Sequence, residues 1–481
     1  MSGVLEGLEP RKVFTYFEQL TQIPRCSSHE KQVSDYLVEW ARARGLEVVQ
    51  DQALNLIIRK PASPGYETAP PVILQGHLDM VCEKNADTVH DFSKDPLKLR
   101  VDGDYIYASG TTLGADNGIA VAMAMAILDS PELDHPPLEV VLTTDEEAGM
   151  SGVQRLDPGL LKGRVLINLD SEEEGVFTAG CAGGGRVDFT IPVKKTTPHY
   201  KHFYRLTVKG LKGGHSGTDI DKERGNALRI LGRVLNGLKD RCELAGLSGG
   251  SKANAIPRES QALLAVDDPA WLKETVSRWD STLKRELAFT DPAVRILVEP
   301  DEAVETVYAP ETHAKVVHLL NLVPNGPLHR DPEHDVVVAS NNLGVLTSDD
   351  TAITLTCAPR SSVRSLLDHF LETAAVIGEI LHLQVKPSSF YPGWEYTPQS
   401  TIRDLCLKTY ADLYHKPGKV NVIHAGLECG FFVEKIPGLD AISFGPDMFD
   451  VHSPNEHLSI ASTQRTYTLL CEILKRMNDR Y

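Results

Sequence analysis

Val72–Val81 reads VILQGHLDMV, and this stretch decides the fold. Three apolar residues, a Gln and a Gly lead into His77, and Asp79 follows two positions later. The apolar run predicts a buried strand, and residues two apart on a strand share a face. His77 and Asp79 are therefore expected to point the same way where the strand gives out. Taken alone, the segment fits a core His beside a surface Asp as well as it fits a site.

The flanking sequence repeats the pattern. LEVVLTTDEEAG and VLINLDSEEEG are further apolar runs that end in acidic residues, and GADNGIAVAMAMAILDS opens on Gly and Asp before becoming a helix. LEVVQD, NLIIRK and DGDYIYAS read as shorter strands, and EPRKVFTYFEQLTQI and EKQVSDYLVEWARARG as helices, the second stopped by Gly45. Continuous apolar strands alternating with helices predict an α/β fold with buried, mostly parallel central strands. Such sheets build their sites at the C-terminal strand ends. His77, Asp79, Asp145, Glu146, Glu147 and Asp170 all fall there.

From about residue 187 the character changes. GRVDFTIPVKKTTPHYKHFYRLTVKG alternates polar and apolar residues, and NALRILGRVLNGLKDR is an amphipathic helix. This predicts a separate α+β domain with an antiparallel sheet. After residue 393 the first pattern returns. The expected organisation is one domain formed by 1–186 and 394–481, with residues 187–393 inserted as a second domain. No low-complexity tract or short-period repeat interrupts the chain.

Composition narrows the function. The chain has 481 residues, of which 42% are hydrophobic and 24% charged, enough for two or three globular domains at about 150 residues each. A net charge of −17 argues against nucleic acid or an anionic membrane as partner. The longest apolar run, IAVAMAMAIL, is too short to span a bilayer, and residues 1–20 carry charges throughout. A soluble, cytoplasmic protein is expected. The eight cysteines are scattered, with no CxxC pair, and read as reduced, mostly buried thiols.

Five residues are candidate ligands: His77, Asp116, Glu147, Asp170 and His452. Two imidazoles and three carboxylates suit Zn²⁺, with Co²⁺ or Mn²⁺ as substitutes. Five exceed what one zinc ion takes, and a bridging carboxylate holding two ions accounts for the surplus. Singly, each acid fits a solvated loop or a helix cap, and the EEE at 172–174 reads as a solvated face.

Jointly the motifs GHLDMV, GADNGIA, TTDEEAGMSG, NLDSEEEG and DVHSPNEH resemble the metal-site motifs of the co-catalytic zinc peptidases related to aminoacylase and glutamate carboxypeptidase. KGGHSG, SKANAIPRE and HAGLECGFF extend the resemblance over the whole chain, with wording nearest to that family's aminoacyl-histidine dipeptidases. The resemblance implies that Asp116 bridges two zinc ions, with His77 and Asp170 completing one position and Glu147 and His452 the other. Glu146 is then the general base and Asp79 the residue that orients His77. His215 is implied to stabilise the oxyanion, while Asn254, Arg360 and Gly426 hold the substrate. The resemblance further implies that 1–186 and 394–481 form the catalytic domain and 187–393 a lid and dimerisation domain, and that the activity is hydrolysis of unblocked dipeptides, including Xaa-His dipeptides, by a homodimer.

Two alternatives use the same residues. An N-acyl amino acid deacylase would not require a free substrate α-amine. A zinc-bearing scaffold without catalysis would need no base beside its ligands, and Glu146 argues against it.

Overall fold

The computed structural model describes residues 3–332 and 335–478. Two compact units divide the chain: Met1–Gly180, Tyr396–Val422 and Glu428–Tyr481 form one, and Cys181–Glu395 with Ile423–Leu427 the other.

The first unit is organised by an eight-stranded sheet. Its order is Glu47–Gln50, Leu56–Lys60, Leu138–Thr143, Val72–His77, Val165–Asn168, Asp440–Ser443, Val176–Cys181 and Lys419–Ile423. The four strands from Leu138–Thr143 to Asp440–Ser443 run parallel. Every residue of Leu138–Thr143, Val72–His77 and Val165–Asn168 is buried, which is why these strands read as mainly apolar runs. His77 lies opposite Thr143 and Gln75 opposite Asn168, so the residues that follow these strands emerge on one edge.

The Ala115–Leu128 helix is buried along its whole length and packs against the Arg11–Leu20 helix and the Val72–His77 strand. Its alanines allow that close approach, while each buried Ile or Met stabilises by about 1.5–3 kcal/mol. Asp116 has extended backbone (φ −78°, ψ 106°), so its carboxylate projects from a turn ahead of the regular helix. The peptide between Asp116 and Asn117 is cis. A small antiparallel sheet of Met448–Phe449, His457–Ser459, Tyr105–Ala108 and Leu99–Asp102 frames the loop carrying His452.

The second unit is antiparallel. One half runs strand His202–Lys209, helix Ala227–Leu238, strands Cys242–Gly249 and Ser260–Val266, helix Pro269–Glu286 and strand Arg295–Pro300. The other runs strand Gly183–Pro192, helix Pro310–Leu322, strands Val336–Ser348 and Ala352–Ser361, helix Arg364–Leu381 and strand Gln384–Tyr391. Both halves are βαββαβ, and their strand orders are mirror images that meet where Gly249 pairs with Leu346. A single apolar cluster, including Phe189, Leu206, Leu231, Leu320, Leu355 and Phe370, runs through both halves. Alternate residues such as Val187, Phe189 and Ile191 face it, giving the half-buried pattern visible in the sequence.

One expectation fails. Cys26 and Cys82 form a disulfide, with Cα atoms 5.7 Å apart. The segments before the Lys31–Ala43 helix and after the Val72–His77 strand lie side by side, as the Cys26–Met80 bridge shows. A separation of 56 residues hid that proximity. The other six cysteines are outside any disulfide, and five of them are buried. Among the described residues, no helix is long and apolar enough to cross a membrane.

Candidate metal centre and active site

His77 ends its strand almost wholly buried. Its Nε2 lies 3.1 Å from Asp116 Oδ1 and 3.6 Å from Asp170 Oδ1. Its Nδ1 lies 3.1 Å from the Asp79 carbonyl and 3.3 Å from Asp79 Oδ1. Both neighbours of Nδ1 are acceptors, so that nitrogen carries a proton; Nε2 faces carboxylates and is the atom a cation would take in place of its proton.

Asp116 places its two oxygens apart. Oδ1 faces His77, while Oδ2 is 3.1 Å from His452 Nε2, which also lies 2.9 Å from Glu147 Oε1. Two donor groups result, His77–Asp116–Asp170 and Asp116–Glu147–His452, each with donor atoms within 4.8 Å of one another and sharing Asp116. His77, Glu146 and Glu147 form a third such group.

Burial and mutual repulsion make it costly for all these acids to be charged together. Burial, and then the neighbouring carboxylates, push Asp170 and Glu147 up, although the histidines oppose this. Burial would raise Asp116 too, but hydrogen bonds from His452 and His77 pull it well below the carboxylate range. His452 is raised to about 11 by its hydrogen bonds to Asp116 and Glu147. A proton on each imidazole thus balances charge that a dication would otherwise balance. The residues fit N/O-ligated divalent metal.

Glu146 and Glu147 follow Asp145, whose left-handed backbone (φ 58°) turns the chain sharply after the strand. Burial raises the Glu146 carboxyl well above its ordinary value, with Asp170, Glu428 and Glu147 adding repulsion and His77 opposing it. Asp79 is fully buried and accepts from Ser27 Oγ (2.8 Å), Glu146 N (3.0 Å) and Glu147 N (3.2 Å). Burial alone would raise it, but His77, Ser27 and the Glu146 amide bring it to about 2.

The EEE run is a solvated face only in part. Glu174 accepts three hydrogen bonds from Arg465, at 2.9, 2.8 and 2.5 Å, with its side chain 6% exposed. Glu172 keeps an exposed edge, yet partial desolvation and the charges of Asp116 and Asp170 push it up to about 7. Glu172 and Glu173 are exposed and fit the solvated reading; Glu174 does not. Sequence reasoning also missed Arg25, Glu30, Glu428 and Glu456, which are buried around the centre. Glu456 lies inside the DVHSPNEH motif, four residues after His452, and that spacing was the one available signal.

In the second unit, His215 and Asn254 meet where the Gly214–His215 and Ala255–Ile256 strands pair, and Ser216 N donates to Asn254 O (2.9 Å). The His215 Nδ1 accepts from Gly217 N and Thr218 N, both at 3.2 Å, which leaves the proton on Nε2. Burial, then Arg360, lowers its pKa, so the ring is neutral. Arg360 is buried, and its Nη1 donates to Tyr391 OH (2.7 Å). Opposite it in register, Ser340 lies 2.7 Å from His424 Nε2. Burial and Arg360 lower His424 to about 3. Gly426 lies in the Ile423–Leu427 segment, held where Ala182 N donates to Ala425 O (3.1 Å).

Imidazoles and carboxylates gathered around a shared Asp beside the ends of parallel strands make a candidate metal centre of the kind that metal-dependent hydrolases use. The chain belongs to peptidase family M20/M25/M40, whose profile matches residues 73–476. It is 40% identical to the cytosol non-specific dipeptidase of Escherichia coli, over 98% of this chain and 99% of that one. The structure of aminoacylhistidine dipeptidase from Vibrio alginolyticus superposes with a TM-score of 0.91 at 38% identity, covering 98% of both chains. The aminopeptidase PepT of Bacillus cereus shares the fold at a TM-score of 0.57 and 13% identity, over 98% and 99% of the two chains.

Proposed function

We propose that the chain is a dinuclear zinc dipeptidase with broad specificity, including Xaa-His substrates. The observation that carries this reading is Asp116, whose two oxygens face separate histidines that each approach a further carboxylate. His77 and Asp170 would hold one ion, Glu147 and His452 the other, with Asp116 between them; Co²⁺ or Mn²⁺ would serve as substitutes. Bound metal supplies Lewis acidity, polarising the peptide carbonyl and lowering the pKa of water.

Glu146, raised by burial, takes the proton of the attacking water and passes it to the leaving amine. Asp79 holds the His77 tautomer. The neutral His215, its proton on Nε2, donates to the developing oxyanion. Arg360, buried beside the Tyr391 hydroxyl, grips the substrate's free carboxylate, with Asn254 and the backbone at Gly426 completing the seat. The whole-length likeness to two named dipeptidases supports the substrate class. The name of the Escherichia coli relative supports a cytoplasmic setting. A homodimer completes the reading by family resemblance.

The test is hydrolysis of a dipeptide panel, with N-acylated and C-amidated analogues, by metal-stripped and zinc-restored protein. Cleavage of unblocked dipeptides that is lost and regained with zinc is the expected result. Preference for N-acylated substrates would replace the dipeptidase reading with a deacylase, and activity independent of metal would end both.

A further inference from the structure

Neither Arg25 nor Glu456 offers an atom to the donor groups, yet both close on the turn that carries Asp116. Glu456 is 2% exposed and spends its whole carboxylate on that turn. Its Oε2 accepts from Leu113 N (2.7 Å) and Gly114 N (2.9 Å), and its Oε1 from Ala115 N (2.8 Å) and Asp116 N (3.3 Å). Arg25, also 2% exposed, approaches the turn's carbonyl side. Its Nη2 donates to Gly114 O, and its Nη1 to Leu78 O (2.9 Å) and Asp79 O (3.1 Å).

The glycines of GADNG make room for this. A Cβ on either Gly114 or Gly118 would stand 2.5 Å from Arg25 Nη2. Gly114 also has φ +66°, which a side chain would strain.

The two side chains thus join three loops. Arg25 ties the segment after His77 to the Asp116 turn. Glu456 ties the same turn to the loop of His452. We propose that Arg25 and Glu456 are positioning residues that fix His77, Asp116 and His452 relative to one another, and so set the separation of the two metal positions. This rests on the dinuclear reading above.

A rival explanation uses charge alone. Arg25 is a buried cation near Glu456, Asp79, Asp116 and Glu147, and it could act only by offsetting their repulsion. Arg25→Lys separates the two, because it keeps the charge while an ammonium cannot span three carbonyls in two loops as a guanidinium fork does. Gly118→Ala keeps both charged groups and displaces the guanidinium. In Glu456→Gln the amide nitrogen faces backbone N–H groups it cannot accept from. Glu139→Gln is the control: Glu139 is a buried acid that accepts from Lys162 N and Gly163 N, away from the donor groups.

The full-length variants are stripped with chelator and titrated with Mn²⁺. Binding stoichiometry, the dissociation constant of the second ion and the exchange-coupled EPR signal of the ion pair are read beside Tm. Arg25→Lys, Gly118→Ala and Glu456→Gln are each expected to weaken the second ion by about 10–100-fold, the usual effect of groups that orient ligands, and to diminish the coupled signal. Glu139→Gln should lower Tm and leave both metal readouts unchanged.

Three results overturn the proposal. The first is coupled signals and second-ion affinities within twofold of wild type in the test variants. The second is a wild-type-like Arg25→Lys or Gly118→Ala, which leaves charge alone. The third is an equal metal defect in Glu139→Gln, which reduces the effect to general destabilisation. A wild-type protein that binds a single uncoupled Mn²⁺ would instead remove the dinuclear reading itself.

Discussion

Asp79→Asn is the substitution whose outcome the structure specifies most closely. The side chain keeps its size, so no cavity opens, and only charge and acceptors change. One oxygen now serves Glu146 N and the His77 edge; the other, which served Ser27 Oγ and Glu147 N, becomes an amide donor. Ser27 can rotate to accept, but the Glu147 amide cannot, and an unsatisfied buried N–H costs about 1–3 kcal/mol. The lowering of the Asp79 pKa from 3.8 to about 2 corresponds to about 2.5 kcal/mol of preference for the charged form in the metal-free protein. Because the folded value is depressed, that stabilisation is fully present above about pH 4 and is lost as pH falls through about 2. Urea unfolding of metal-free protein at pH 7 should therefore show a loss of about 2–3 kcal/mol. The difference from wild type should shrink as pH is lowered below 4. Zinc affinity, by chelator competition, should fall about 10–100-fold. Stability within about 0.5 kcal/mol of wild type, together with unchanged zinc affinity, would refute the role given to Asp79.

Glu146→Gln should retain two metal ions by elemental analysis while turnover falls about 10²–10⁴-fold; metal lost along with activity would move Glu146 into the ligand set. Arg360→Ala should depress kcat/KM sharply for dipeptides, and C-terminal amidation should cost the wild type heavily and the variant little. Losses that simply add would separate Arg360 from the carboxylate. Thiol titration of the denatured, unreduced protein should count six thiols, rising to eight after reduction; eight from the start would dissolve the Cys26–Cys82 bond.

The sequence made the first unit legible for a physical reason. Strands buried on both faces read as mainly apolar runs, broken only by single buried polar residues such as Gln75 and Glu139, and the acids that cluster after Val72–Gly76, Leu138–Thr143 and Val165–Asn168 mark the sheet edge. The second unit was legible only as alternation. Its Gly183–Pro192 strand lies between Ala352–Ser361 and Gln384–Tyr391, partners well over a hundred residues away, and nothing local announces them. The mirrored βαββαβ halves were hidden for the same reason, since topology repeats there without a repeated motif. Attachment of Ile423–Leu427 to the second unit and the Cys26–Cys82 pairing are likewise contacts between distant segments.

Within the centre, the limit is that one letter covers several electrostatic states. Glu456 is fixed by four backbone amides. Glu428 is fully buried, and its Oε2 accepts from Gln75 Nε2 and Thr143 Oγ1, both at 2.6 Å. Burial raises it to about 8, so at neutral pH it is mainly the uncharged acid. An uncharged acid does not compete for a dication, and it can brace Gln75, two residues before His77, without adding to the crowd of carboxylates. Glu147, by contrast, faces a histidine across 2.9 Å, in a place where a metal ion would favour its charge. The motifs single out Glu147 as a ligand, while Glu428 and Glu456 stand in neighbouring motifs with no role that spacing assigns. What separates a ligand from a brace is the count of donors each carboxylate meets once distant segments are packed, and those donors come from residues up to 353 positions away.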